Sequence, residues 1–209
     1  MAKELSNNVI PQQQQGSKTD DGAIVKFDNV DEAKELFIEA KKRLFDVNNW
    51  HHFAGSVSAT FRLTDSDGNE ITGTPKAGQY FKIDLPGPGT LTGEGFDWVK
   101  IETVEERQHE SGVDELVAIR VRPASNPTNS KNDVAHFFTD EATSSFIVRR
   151  NGNTVTAEVH GRNEKANTNA KALIDKTRNA VVASGAKSGL SSVQWSNLAK
   201  GLLGEKGNS

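Results

Sequence analysis

The stretch "SSFIVRRNGNTVTAEVHG", residues 144–161, constrains this chain more than any other. Two runs of alternating apolar and polar residues flank Asn151-Gly152. Both central positions of a type I′ turn take positive φ, which Asn and Gly tolerate, so the stretch predicts a two-residue hairpin. In that register Val148 faces Val155 and Phe146 faces Ala157, and the apolar side matches across both strands. Ile147, Arg149, Thr154, Thr156, Glu158 and His160 then share the other face. Period-two alternation of this kind marks half-buried antiparallel strands.

The same period recurs upstream. "SVSATFRLT" aligns Val57, Ala59, Phe61 and Leu63, "QYFKIDL" aligns Phe81, Ile83 and Leu85, and "DWVKIETV" aligns Val99 and Ile101. "ELVAIRVR" sets Val117, Ile119 and Val121 against a mixed face of Leu116, Ala118, Arg120 and Arg122. A short strand-like run, "AIVKF", opens the ordered part. After it Val30, Ala33, Leu36, Phe37, Ala40 and Leu44 recur at helical spacing, which predicts a helix over 30–46 with Asn29 and Glu32 as its capping box. "NNWHHF" follows as a turn or short second helix. Two helical patterns close the chain. The first carries Leu173, Thr177, Ala180, Val181 and Ser184. The second opens on a Ser191–Gln194 capping box with a Leu190–Trp195 staple, and buries Trp195, Leu198 and Leu202.

This order predicts one α+β domain over residues 22–203. A curved antiparallel sheet of about six to seven strands would carry an N-terminal helix and C-terminal helices on one face. Residues 1–21, polar and holding a four-Gln run, read as a disordered tail, and 204–209 as a flexible one.

Composition excludes several functions. There are no cysteines, so disulfides, thiolate nucleophiles and Cys-ligated zinc are ruled out. A net charge of -3 leaves no electrostatic footprint for nucleic acid or an anionic membrane surface. No apolar run is long enough for a signal peptide or a membrane span, and the chain reads as soluble and cytoplasmic. No cofactor and no metal are expected. "DSDGNE" (65–70) places Glu70 where a calcium loop needs Gly, and reads as an Asp-Gly turn. No two of the five histidines have the spacing of a zinc helix.

Two features remain as site candidates. "GPGTLTGEG" (87–95) joins two strands, so it lacks the helix N-terminus that a phosphate cradle needs. It is longer than a usual hairpin loop, and Gly87, Gly89, Gly93 and Gly95 would form the lip of a pocket. The second feature is cationic. Arg120 and Arg122 share one strand face, and Arg149 and His160 share one hairpin face. Facing a cavity, they would clamp a carboxylate or phosphate; facing outward, they are ordinary solubilising residues. His136 and His160 could meet across a sheet, and Trp98 completes the ligand-binding candidates. "HGRNE" (160–164) is compact and polar after the last strand, placed either to cap a turn or to line a cavity mouth.

The element order resembles the START/Bet v 1-like helix-grip superfamily, and "GPGT" (Gly87 to Thr90) resembles the glycine-rich loop of its plant members. Here that loop is longer and follows a later strand, and the closing helix is interrupted near Gly185–Gly189. The resemblance implies binding of a hydrophobic or amphipathic small molecule between sheet and closing helix. That reading requires a cavity of about 300 Å³ or more. The alternatives are a cyclase- or hydrolase-like enzyme on the same scaffold, with His136 or His160 in the cavity, and a structural or interaction protein without a ligand. An oligomer is compatible with each.

Overall fold

The computed structural model describes residues 9–54, 59–85, 93–109, 112–129, 133–167 and 192–205. The helical pattern expected around Leu173 to Ser184, and the cap at Ser191, lie outside them. Seven strands form one antiparallel sheet: β1 (Ser17–Lys26), β2 (Thr60–Thr64), β3 (Tyr80–Asp84), β4 (Asp97–Gln108), β5 (Asp114–Pro123), β6 (Thr143–Asn151) and β7 (Thr154–Glu164). Their order is β1-β7-β6-β5-β4-β3-β2, so the first two strands in sequence are the two edges. The chain crosses between those edges through α1 (Val30–Phe45), a 3₁₀ turn (Val47–Asn49) and α2 (Trp50–Ala54), and α3 (Ser192–Leu202) closes the described part. A curved antiparallel sheet with helices on one face is the helix-grip arrangement.

Local chemistry sets the helix ends. Asn29 caps α1 by accepting the Glu32 N–H at 2.9 Å, and Asp31 and Glu32 in the first turn with Lys42 and Arg43 in the last match the helix dipole. The core lies between the helices and the inner sheet face, with Phe37, Leu44, Phe61, Phe81, Ile119, Phe146, Val148 and Leu198 buried. Trp50 stands at its centre, with ring centroids 5.2 Å from Phe61, 5.6 Å from Phe81 and 4.7 Å from Phe146. Its indole N–H donates to the Leu44 carbonyl at 3.1 Å, satisfying a group at the end of α1.

Two expectations need correction. The hairpin turn is centred on Gly152-Asn153, because Asn151 pairs with Thr154, Val148 with Ala157 and Phe146 with Val159. Gly152 carries the positive φ of 58° and Asn153 does not, the pattern of a type II′ turn with Gly first. The partners slip by two residues, an even number, so every side chain keeps its predicted face.

The N-terminal boundary also moves. β1 begins at Ser17, and Val9 is buried on the outer sheet face against Leu116, Ala118 and Ile147. The Ser145 hydroxyl donates to the Val9 carbonyl at 2.8 Å. Lys18, Thr19, Asp20 and Asp21 hide the strand because their polar side chains show no alternation. Backbone pairing with β7 holds them instead.

Candidate functional site

The inner face encloses a cavity at one end of the sheet. The last residues of β3, β5 and β7 and the first of β1, β2, β4 and β6 meet there. Phe61, Phe81, Ile83, Leu85, Val99, Val121 and Phe146 form the sheet side. Trp195 of α3 covers it, and His136, Phe137 and Phe138 of the β5–β6 connection border it. Its polar groups are Thr19, Asp97, His136, Ser144 and Glu164. The enclosed space is about 60 Å³, room for a few waters and well below the volume expected from sequence.

Glu164 reaches the cavity through a break in the strand. Along β7 the inward residues are Val155, Ala157, Val159 and Gly161. Strict alternation would place Glu164 outside. Asn163 breaks it, with a left-handed φ of 56° and a register shift against β1 between Ser17 and Thr19. Such irregularities re-aim a side chain. Thr19 donates its hydroxyl to both Glu164 oxygens, at 3.2 and 3.0 Å. A Cβ on Gly161 would overlap the Glu164 carboxylate, so the glycine leaves the space this side chain uses. Burial pushes the Glu164 carboxyl above its ordinary pKa; the Thr19 hydrogen bond and Arg162 pull the other way, and Asp20 and Asp21 add to the rise.

The glutamine run read as tail holds that break in place. The Asn163 side-chain oxygen accepts Gln14 N–H at 2.7 Å and Gln15 N–H at 3.2 Å. Asn163 in turn donates its backbone N–H to Gln13 Oε1 at 2.9 Å and its side-chain amide to the Gln12 carbonyl at 3.3 Å.

The sequence candidates scatter. Arg120 and Arg122 project from the outer face, since Val117, Ile119 and Val121 take the inner one. Both pair with Glu102, at 2.8 and 2.5 Å. Despite burial, which would raise it, the Glu102 carboxyl lies below its ordinary range because of Arg122 and Arg120. Arg149 is also on the outer face, where its charge helps lower Glu158. His160 stands there too, its Nδ1 2.6 Å from Asp20 and its Nε2 2.9 Å from Glu158. Burial would lower its pKa, but the hydrogen bonds to Glu158 and Asp20 outweigh that and raise it. The cationic clamp is therefore corrected. All four stand on the face away from the cavity, Arg120 and Arg122 bound to Glu102 and His160 to Asp20 and Glu158.

Among the described residues of the nominated set only His136 lines the cavity, and it does not meet His160. Its Nδ1 accepts the Phe138 N–H at 2.9 Å, which in the neutral ring leaves the proton on Nε2. Trp98 is buried away from the cavity, between two residues that line it, and donates to the Gly93 carbonyl at 3.3 Å. Gly87 and Gly89 lie outside the described residues. Gly93 and Gly95 sit in the turn before β4, and Leu85, where the connection leaves β3, lines the cavity. Asp65 accepts Asp67 N–H and Asn69 N–H, both at 2.9 Å, which makes "DSDGNE" a self-capped turn. Among the described residues no three His, Asp or Glu side chains are grouped to hold a metal ion. None of the described helices is long and apolar enough to cross a membrane.

No family model matches the chain, and no curated protein matches it. Solved structures do. Norcoclaurine synthase from Thalictrum flavum, in complex with dopamine and hydroxybenzaldehyde, is 7% identical with a TM-score of 0.39, over 95% of this chain and 98% of that one. Ara h 8.0201 is 7% identical with a TM-score of 0.35, over 90% and 97%. Major latex-like protein 151 from Panax ginseng is 10% identical with a TM-score of 0.34, over 83% and 100%. These neighbours are Bet v 1-like proteins. At TM-scores below 0.5 the likeness decides nothing about this chain's chemistry, and the site stands on its own residues.

Proposed function

We propose that the protein binds a small amphipathic molecule in the cavity between sheet and α3. The supporting observation is convergence. Aromatic side chains from β2, β3, β6 and α3 wall one enclosed space, and Thr19, Ser144, His136, Asp97 and Glu164 supply polar groups to it. An apolar cavity of about 150 Å³ takes benzene. At about 60 Å³ this cavity is smaller than that and than the volume expected from the sequence, so a ring-sized ligand must displace Trp195 to enter.

Two-dimensional NMR with benzyl alcohol tests the reading. The expected shifts centre on the Trp195 indole and on Phe81, Val99, Val121 and Phe146. Unmoved resonances at millimolar ligand overturn it. Native mass spectrometry of the protein as purified adds a second check, through a bound mass lost on denaturation.

One observation favours a second reading, an enzyme on the same scaffold. Glu164 is a carboxyl in a partly apolar cavity with its pKa raised by burial, the condition for a general acid. Turnover lost in Glu164→Gln while binding persists would support it. Among the described residues the large exposed hydrophobics, Ile24, Val30, Ile38, Val113 and Val193, are spread over β1, α1, the β4–β5 turn and α3 and form no single patch that would favour an interaction surface.

A further inference from the structure

We infer that the cavity takes the positively charged end of its ligand, with Glu164 as counter-ion, so that the ligand class is an organic ammonium on an apolar body. This rests on the binding reading above and adds the sign of the charge.

The lining groups carry the argument. Among the described lining residues there are two carboxyls, Asp97 and Glu164, two hydroxyls, Thr19 and Ser144, one imidazole, His136, and no lysine or arginine. Arg120 and Arg122 are held by Glu102 on the outer face. Arg162 is held there by Asp20 at 2.6 Å. Arg150 is held by Glu115 at 2.7 Å, beside the hairpin turn at the opposite end of the sheet. An anionic ligand would meet two carboxyls and no balancing Lys or Arg among these residues. An ammonium would meet two carboxyls and two hydroxyls able to accept from it, alongside the His136 ring.

The placement of Glu164 is also built rather than incidental. The left-handed Asn163, its four hydrogen bonds with the Gln12–Gln15 run, the open position at Gly161 and the Thr19 hydroxyl shared between both carboxyl oxygens all act to put one carboxyl inside. A non-glycine residue in the left-handed region persists where its surroundings over-determine it, which is common at ligand sites. The ring faces of Phe61, Phe81, Phe146 and Trp195 suit a cation with an apolar body. An ammonium also offsets the burial that opposes ionisation of Glu164.

The test uses three molecules of one shape in the full chain: benzylamine, benzyl alcohol and benzoate. Binding is followed by NMR at the cavity residues, for the unaltered protein, Glu164→Gln and Glu164→Asp. Benzylamine is expected to bind tightest and benzoate weakest. Glu164→Gln should weaken benzylamine on the order of tenfold, by clearly more than it weakens benzyl alcohol. Glu164→Asp, which keeps the charge, should keep the preference. If benzyl alcohol or benzoate binds as tightly as benzylamine, or if Glu164→Gln leaves the preference intact, the charge assignment falls and the binding reading stands. If none of the three binds at millimolar concentration, the binding reading falls and takes this inference with it.

Discussion

The side-chain oxygen of Asn163 accepts the backbone N–H of Gln14 at 2.7 Å, across 149 residues of sequence. Together with the bond from Gln15 and those that Asn163 donates to Gln12 and Gln13, this contact holds a left-handed residue one position before the carboxylate that enters the cavity. Asn163→Ala removes the acceptor and puts a less tolerant residue at positive φ. A loss of about 1–3 kcal/mol is expected in urea unfolding. Asn163→Gly keeps the backbone freedom and should cost less. Amide exchange at Gln14 and Gln15 should quicken in both. Equal stability of the alanine variant and the parent would refute the clasp.

Glu164 predicts a pH dependence of stability. Burial raises its folded pKa above the unfolded carboxylate value of about 4.3. Between those two values the folded state binds more protons, so its contribution to stability falls as pH rises through the folded pKa. Glu164→Gln should remove that slope and melt higher than the parent at neutral pH. Melting curves taken from pH 4 to 8 decide it, and a variant with the parental slope contradicts the assignment.

His160 runs through a different window. Its folded pKa is raised because Glu158 and Asp20 outweigh burial. The stabilisation is present in full below the unfolded histidine value of about 6.5 and is lost as pH rises through the folded value. An NMR titration of the His160 ring should give a midpoint above 6.5, and Asp20→Asn should lower it. A midpoint below 6.5 would mean that burial dominates.

Arg149 and Arg150 are neighbours with opposite expectations. Arg150 is 1% exposed, bonds Glu115 at 2.7 Å, and donates to the carbonyls of Gly152 at 2.9 Å and Gly112 at 2.6 Å. Removing it strands a carboxylate and two carbonyls, so Arg150→Ala should cost about 3 kcal/mol or more. Arg149→Ala, on the outer face, should cost under about 1 kcal/mol. Urea midpoints of the two variants, compared at equal slope, check the ranking.

Gly201 lies where α3 meets α2. A Cβ there would overlap the Phe53 carbonyl. Gly201→Ala should therefore destabilise by about 1–3 kcal/mol, despite alanine's better helix propensity. A more stable variant would show that the helices can separate without cost.

The alternation of β2 to β7 made the sheet legible, and helical spacing did the same for α1 and α3. Faces were legible as well: Leu116 and Ala118 do share a side with Arg120 and Arg122. Which side faced the helices was settled by the helices, whose apolar faces bury Val117, Ile119 and Val121. The hairpin turn was ambiguous because "NGN" offers both Asn-Gly and Gly-Asn as central pairs. Glu164 was out of reach, since it lies inside only through the departure from alternation at Asn163. Nothing in "QQQQ" shows that its amides and backbone serve a residue almost 150 positions away. The compact polar run "HGRNE" was the one usable pointer, and it contains both Asn163 and Glu164.

The pairing of β1 with β7 has a consequence for biosynthesis. β1 precedes the other described strands in the chain, yet among them it pairs with β7, which follows all the rest, with Ala23 opposite Ala157. Contacts this distant in sequence slow folding. Until β7 is made β1 lacks that partner, and its outward Lys18, Asp20 and Lys26 supply the charges that discourage a nascent strand from pairing with another chain.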